Sequence, residues 1–351
     1  MWNHSRLLEL LKINHPIIQA GMAGGVTTPE LVAAVSNAGG LGTLGAGYMA
    51  PEDMRKSIQK IKSLTRKSFG VNVFVPERPS ATETEISRVN ELLKPFRNEL
   101  GIENETQPEV DESLFDKQLK VLKEEKVPVC SFTFGIPEKA IIHDLKNEGV
   151  VLIGTATTVE EAILNEQHGM DAVVAQGSEA GGHRGTFTDS YRQSMIGTMS
   201  LIPQVADHVS IPVIAAGGIM DGRGVCASMV LGADGAQLGT AFVTCKESGA
   251  KPQHKEAILH TKETETVMTA SFSGKPARGI RNAFIERMEG HEPLDYPLQN
   301  ALTKGIRKEA ALQNRPEYMS LWSGQSPRLS RSESAAYMIQ SIVSQAKRIN
   351  S

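Results

Sequence analysis

Short apolar runs alternate along this sequence with stretches of helical periodicity. The runs begin near Ile17 (IIQAG), Leu41 (LGTLG), Phe69 (FGVNVFV), Pro128 (PVCSFTF), Val150 (VVLIGTA), Ala172 (AVVAQG), Pro212 (PVIAAGG) and Gly235 (GAQLGTAF). Strand-like runs with helices between them build βα units and a parallel sheet, not a sandwich. Eight such units predict an α/β fold of the (β/α)8 TIM barrel type, ahead of an open doubly wound sheet.

Boundary signals support the intervening helices. Thr28-Pro29 supplies an N-cap and a first-position proline ahead of LVAAVSNA, and Gly39 closes that helix. Pro51 opens EDMRKSIQKIKSL in the same way. Thr158 with Glu161 three residues on reads as a capping box, with Gly169 at the far end.

Two stretches depart from the repeat. Residues 76–110, with Glu83, Glu85, Glu103, Glu105 and Glu109, read as a solvated polar excursion. After Phe242 the chain turns polar and contains Ser273-Gly274-Lys275-Pro276-Ala277-Arg278-Gly279. Residues 245–325 are expected to form a smaller domain or lid beside the barrel mouth. Residues 1–244 and 326–351 then make the barrel, the last part as a closing amphipathic helix.

Composition narrows the partners. With 37 basic and 40 acidic side chains the formal charge is -3, which gives no excess for a nucleic acid or an acidic membrane surface. No run of 18 apolar residues offers a membrane span. Cys130, Cys226 and Cys245 show no C-x-x-C spacing, which points to a reducing, cytoplasmic setting. The sequence carries no signal of oligomeric state.

In a barrel the chemistry sits where the strands end. Those ends hold Gly21-Met22-Ala23-Gly24-Gly25, Asn72, Ser131 and Thr133, Thr155, Gln176-Gly177-Ser178-Glu179-Ala180-Gly181-Gly182-His183-Arg184-Gly185, Ala216-Gly217-Gly218-Ile219 and Gln237-Leu238-Gly239-Thr240. Glycines after the seventh and eighth runs let backbone N–H groups approach an anion, and a helix starting near Asp221 points its positive end at the same place. A phosphate-bearing ligand is expected there. His183, in a loop rich in glycine, is the candidate catalytic residue, whereas His168 suits a helix C-terminus.

Other motifs fail on context. Gly40-Leu41-Gly42-Thr43-Leu44-Gly45 matches a dinucleotide fingerprint but overlaps a strand instead of opening a helix. Glu179 and His183 are separated by glycines that preclude a zinc-binding helix, so no metal is expected. No strand-end lysine or nucleophile elbow is present, which leaves the chemistry to a cofactor.

Taken together, Gln19 to Gly25, Gly70 to Phe74, Gln176 to Gly185, Ala215 to Ile219 and Gln237 to Thr240 resemble the FMN-dependent nitronate monooxygenases, over Pro16 to about Phe242. The resemblance implies a barrel holding FMN. It puts Asn72, Gln176 and Gly181 near the isoalloxazine, with Met22 packed by the ring. Gly217, Gly218, Gln237, Leu238, Gly239 and Thr240 would surround the phosphate, and His183 would be the active-site histidine. The substrates implied are a small nitronate and O2, converted to a carbonyl compound and nitrite. Flavin-dependent enoyl-acyl-carrier-protein reductases share the E-A-G-G-H loop and supply an NAD(P)H-dependent alternative. A non-catalytic flavin sensor is a third. Many of the best-known monooxygenases carry proline where this chain has Gly21. On the sequence alone, Gly24, Gly25 and Gly185 suggest a small, tight mouth that favours a compact anion.

Overall fold

A computed structural model describes residues 5–77, 79–103, 107–188 and 190–349; Glu105 lies outside them. All eight expected runs are strands: β1 Ile17–Gln19, β2 Gly42–Gly45, β3 Phe69–Phe74, β4 Val129–Thr133, β5 Val151–Ala156, β6 Ala172–Gln176, β8 Val213–Ala216 and β9 Gly235–Leu238. A further two-residue strand, β7 Gly182–His183, lies between β6 and β8 and belongs to a second sheet. The barrel order is β1-β9-β8-β6-β5-β4-β3-β2, every pair parallel, and an Ile18–Leu41 bridge closes it between β1 and β2.

Nearly every strand residue is buried, as expected of strands covered by helices outside and side chains inside. The N-terminal helix Arg6–Leu11 sends Leu7 and Leu11 into a cluster with Ile18, Val174 and Ile214, in line with its short amphipathic pattern. Around the barrel, Leu31 and Val35 from helix Pro29–Asn37 pack in one cluster with Val225 and with Met338, Ile339 and Ile342 of the closing helix Ala335–Ile349. The Thr28 hydroxyl accepts from the Leu31 N–H at 3.0 Å, a cap worth about 1 kcal/mol.

The capping box expected at Thr158 is only half formed. Thr158 does accept from the Glu161 N–H at 3.2 Å. The Glu161 carboxylate instead turns inward to the N–H and hydroxyl of Thr157, both at 2.6 Å, and to the Phe187 N–H at 2.6 Å. Donors on a neighbouring loop outcompete the helix's own first turn.

The segment 76–110 is more than a solvated excursion. It holds helix Glu83–Glu99, whose glutamates at 83 and 85 are exposed while Val89, Leu93 and Phe96 are buried. That apolar face packs with Phe272, Phe284, Leu302 and Tyr318 from the chain beyond the barrel. Within 245–325 lie the antiparallel pair β10 Thr266–Thr269 and β11 Ala277–Ile280, with helix Leu298–Leu312. Strand β7 adds to the edge of β11, pairing His183 with Ala277. The loop leaving β6 is therefore stitched to the C-terminal part of the chain.

Candidate active site

The strand ends cross-link one another. Asn72 on β3 donates through Nδ2 to the Ser131 hydroxyl at 3.0 Å and the Thr133 hydroxyl at 3.1 Å on β4. Gln176, at the end of β6, donates from Nε2 to the His183 carbonyl at 3.0 Å and accepts at Oε1 from the Gly185 N–H at 2.8 Å. Both ends of the Gln176 side-chain amide thus hold the histidine loop. Arg184 adds a bond to the Gln176 carbonyl. A Cβ on Gly185 would lie 2.7 Å from Thr155 Cγ2, so glycine is needed for this packing.

The first loop lies close over β3. A Cβ added to Gly21 would fall 2.6 Å from the Asn72 Cβ, so this course of the first loop calls for glycine. Met22 follows, with its sulfur 4.0 Å from a Cβ built on Gly239. Gly24 and Gly25 do not tighten the mouth as expected, since a Cβ on either meets nothing within 4 Å. Their positive φ values, 84° and 92°, are what call for glycine.

At the end of β8 the backbone is exceptional. Gly217 and Gly218 have φ of 117° and 70°. The Gly217 carbonyl accepts from the Thr198 hydroxyl at 3.0 Å, and the Gly218 carbonyl from the Ser326 hydroxyl at 3.1 Å. Asp221 caps helix Gly222–Val230 through the Arg223 and Gly224 N–H groups. Gln237 sits level with Ala216 on β8 and Ile18 on β1. The Leu238 side chain is fully buried in the core, so only its backbone can serve the site. Thr240 Oγ1 accepts from the Gly324 N–H at 2.9 Å.

Glu179 is capped onto a helix. Its carboxylate accepts from the Thr198 N–H at 2.9 Å and shares the single Thr198 hydroxyl proton, at 2.7 Å, with the Gly217 carbonyl, at the start of helix Thr198–His208. His168 bonds the Leu164 carbonyl at 2.8 Å where its helix ends.

His183 is crowded by rings, with Phe134 and Trp322 centroids at 5.6 Å and Tyr296 at 6.2 Å. Its Nε2 lies 2.8 Å from the Ser273 hydroxyl. Burial, then the Lys275 and Arg307 cations, brings the His183 pKa down to about 3, so the ring is neutral at physiological pH. Lys275 stands 4.7 Å from the Phe134 ring centre and pairs with Glu77. The Tyr48 hydroxyl is buried beside Tyr296, the two ring centres 6.4 Å apart. Burial pushes both phenols above their usual range.

Sequence reasoning missed the closing surface: Phe134, Ser273, Tyr296, Arg307, Trp322 and the turn Ser323 to Ser326. The polar stretch around Ser273 and Lys275 was visible, but no local pattern tied it to His183. A Cβ on Gly181 would meet the Gly324 nitrogen at 2.5 Å, so this turn packs directly on the histidine loop.

A parallel barrel whose glycine-lined polar mouth faces a neutral histidine defines a cofactor-dependent barrel enzyme. A family model, Nitronate monooxygenase, matches residues 4–345. A probable nitronate monooxygenase of Staphylococcus haemolyticus (strain JCSC1435) is 54% identical over 99% of this chain and 98% of that protein. One from Staphylococcus aureus (strain N315) is 54% identical over 99% of each. Among solved structures, nitroalkane oxidase from Streptomyces ansochromogenes is 40% identical, covers 98% of both chains and superposes with a TM-score of 0.92. FabK from Thermotoga maritima is 35% identical over 99% of this chain and 97% of that one, with a TM-score of 0.79. The chain belongs to the nitronate monooxygenase family, and its chemistry is that of an oxidoreductase. Among the described residues no helix is long and apolar enough to cross a membrane, and no His, Cys, Asp and Glu cluster is suited to a metal ion.

Proposed function

We propose that this protein oxidises small alkyl nitronates with dioxygen, giving a carbonyl compound and nitrite, and that it does so with FMN. The observation that carries this reading is His183, a neutral imidazole walled by aromatic rings with two cations nearby. That setting draws in a small anion, and the bound anion's charge would offset the two cations that otherwise oppose a proton on the ring.

The residues present fit FMN. Backbone amides at Gly217, Gly218 and Gly239, the polar end of Gln237 and the Thr240 hydroxyl would hold the phosphate, which a side chain at either positive-φ glycine would obstruct. Asn72, Gln176, Gly181 and Met22 would line the isoalloxazine. When bound, FMN would supply the redox chemistry between nitronate and dioxygen. The chain's own part is to bind, orient and move a proton. Lys275 and Arg307 raise the potential at His183 and draw in an anion. With a neutral nitroalkane His183 would remove the α-proton; with a preformed nitronate it would orient and polarise the bound anion. Residues 245–325, together with helix Glu83–Glu99, would act as the cover that excludes bulk water from this reaction.

The test uses the purified, yellow protein with a nitronate in air and no NAD(P)H. Nitrite release matched by oxygen uptake is expected. An absolute requirement for NAD(P)H, with turnover of an enoyl thioester and no nitrite from any nitronate, would overturn the reading in favour of enoyl reduction. A protein that neither holds nor takes up FMN would overturn both.

A further inference from the structure

The Ser273 hydroxyl is buried, 2% exposed, and has three neighbours: His183 Nε2 at 2.8 Å, the Lys275 carbonyl at 3.0 Å and the Lys275 N–H at 3.3 Å. A hydroxyl owns one proton. The Lys275 N–H can only donate to the serine oxygen, and the Lys275 carbonyl can only accept. The three contacts are satisfied together in one way alone, with the serine proton on the Lys275 carbonyl and the imidazole proton on Nε2. The reverse arrangement would leave the Lys275 carbonyl without this donor. It would also place the ring proton on Nδ1, which has no hydrogen-bond partner among the described residues.

We infer that Ser273 is a positioning residue that fixes His183 as its Nε2–H tautomer and locks the ring's orientation, so that Nδ1 is the nitrogen that takes the substrate's proton. The neutral ring gives this choice its meaning, because a doubly protonated imidazole would have no tautomer. Lys275 and Arg307, both cationic, oppose a second proton on the ring, and Tyr296 keeps its own.

The serine is itself held firmly. Its peptide N–H bonds the Ala270 carbonyl at 3.2 Å, and the carbonyls of its neighbours Ser271 and Phe272 accept from Gln299 and Thr303 on helix Leu298–Leu312. The C-terminal part of the chain therefore dictates which ring nitrogen is basic. With a neutral nitroalkane, the α C–H bond breaks, its proton forms a new N–H bond at Nδ1, and the electron pair stays on the substrate as the nitronate. The products of this step are a nitronate anion and an imidazolium, and no redox change is involved.

This inference rests on the proposed function for the catalytic use of Nδ1, but the tautomer can be tested without turnover. Protein carrying 15N-labelled histidine, purified with its flavin, is examined by NMR, with His183→Gln identifying the signals of residue 183. A pyrrole-like, slowly exchanging Nε2–H and a pyridine-like Nδ1 are expected. Ser273→Ala should lose the slowly exchanging Nε2–H signal, and Ser273→Thr, which keeps the hydroxyl, should restore it. In parallel, Ser273→Ala should lower the ratio of kcat with a nitroalkane to kcat with its preformed nitronate severalfold. A proton on Nδ1 in the wild-type protein would overturn the inference even if nitrite is released. Absence of nitrite from every nitronate, with the Nε2–H signal present, would instead sink the functional reading and leave the tautomer assignment standing.

Discussion

An imidazole ordinarily gains its proton near pH 6.5, yet His183 does so only at about 3, through burial first and the Lys275 and Arg307 cations second. The unfolded chain binds that proton below about pH 6.5 and the folded chain does not. The protein accordingly loses stability as the pH falls from about 6.5 towards the folded value, and this group penalises the fold least above about pH 6.5. A pH profile of kcat/KM for a preformed nitronate should show no limb near 6.5 that belongs to His183. Lys275→Met should raise the His183 pKa, measurable by NMR titration; an unchanged value would contradict the electrostatic account. His183→Ala should keep its flavin and lose about 10²- to 10⁴-fold in kcat with a nitroalkane. Gly218→Val should do the opposite. Its φ of 70° costs a branched side chain about 1–2 kcal/mol, and its Cβ would press within 3.3 Å of Glu179. The flavin-to-protein ratio after purification separates the two variants.

At the scale of elements, the strands and most helix starts were legible because their signals are local. Thr28-Pro29, Pro51 and Asp221 act within a turn of their own helices. What was not legible depends on partners far along the chain. Glu161 read as a helix cap because Thr158 stands three residues before it, yet its carboxylate serves Thr157 and Phe187. Helix Glu83–Glu99 read as a charged surface because its glutamates were counted and the spacing of Val89, Leu93 and Phe96 was not. Strand β7 is two residues long and exists only because β11 comes alongside. Glu161→Leu should destabilise the protein by about 3 kcal/mol or more, at roughly 1–3 kcal/mol for each buried donor left unpaired. The denaturation midpoint checks this, and a shift within error would assign those donors to other partners.

For the whole molecule, the barrel's clusters and the cluster built by helix Glu83–Glu99 with the C-terminal part meet at the site. Phe272 is stacked on Phe284 at 4.4 Å and stands edge-on to Trp322 at 5.7 Å, and Trp322 in turn touches His183. Phe272→Ala should cost about 3–5 kcal/mol through the cavity it leaves. Because this contact chain reaches the histidine, flavin release and loss of secondary structure should shift together on heating; a shift confined to one of them would show that the two regions unfold independently. The histidine's own address has a wider consequence. His183 is reached from the barrel through Gln176 and from the outer sheet through its register with Ala277. A gene-shuffling experiment that joins this barrel to a relative's outer sheet would thus have to inherit the matching strand as well. A crossover placed near residue 245 would split that pairing and set His183 against a foreign strand, so the two parts of this enzyme are exchangeable as a pair and not as modules.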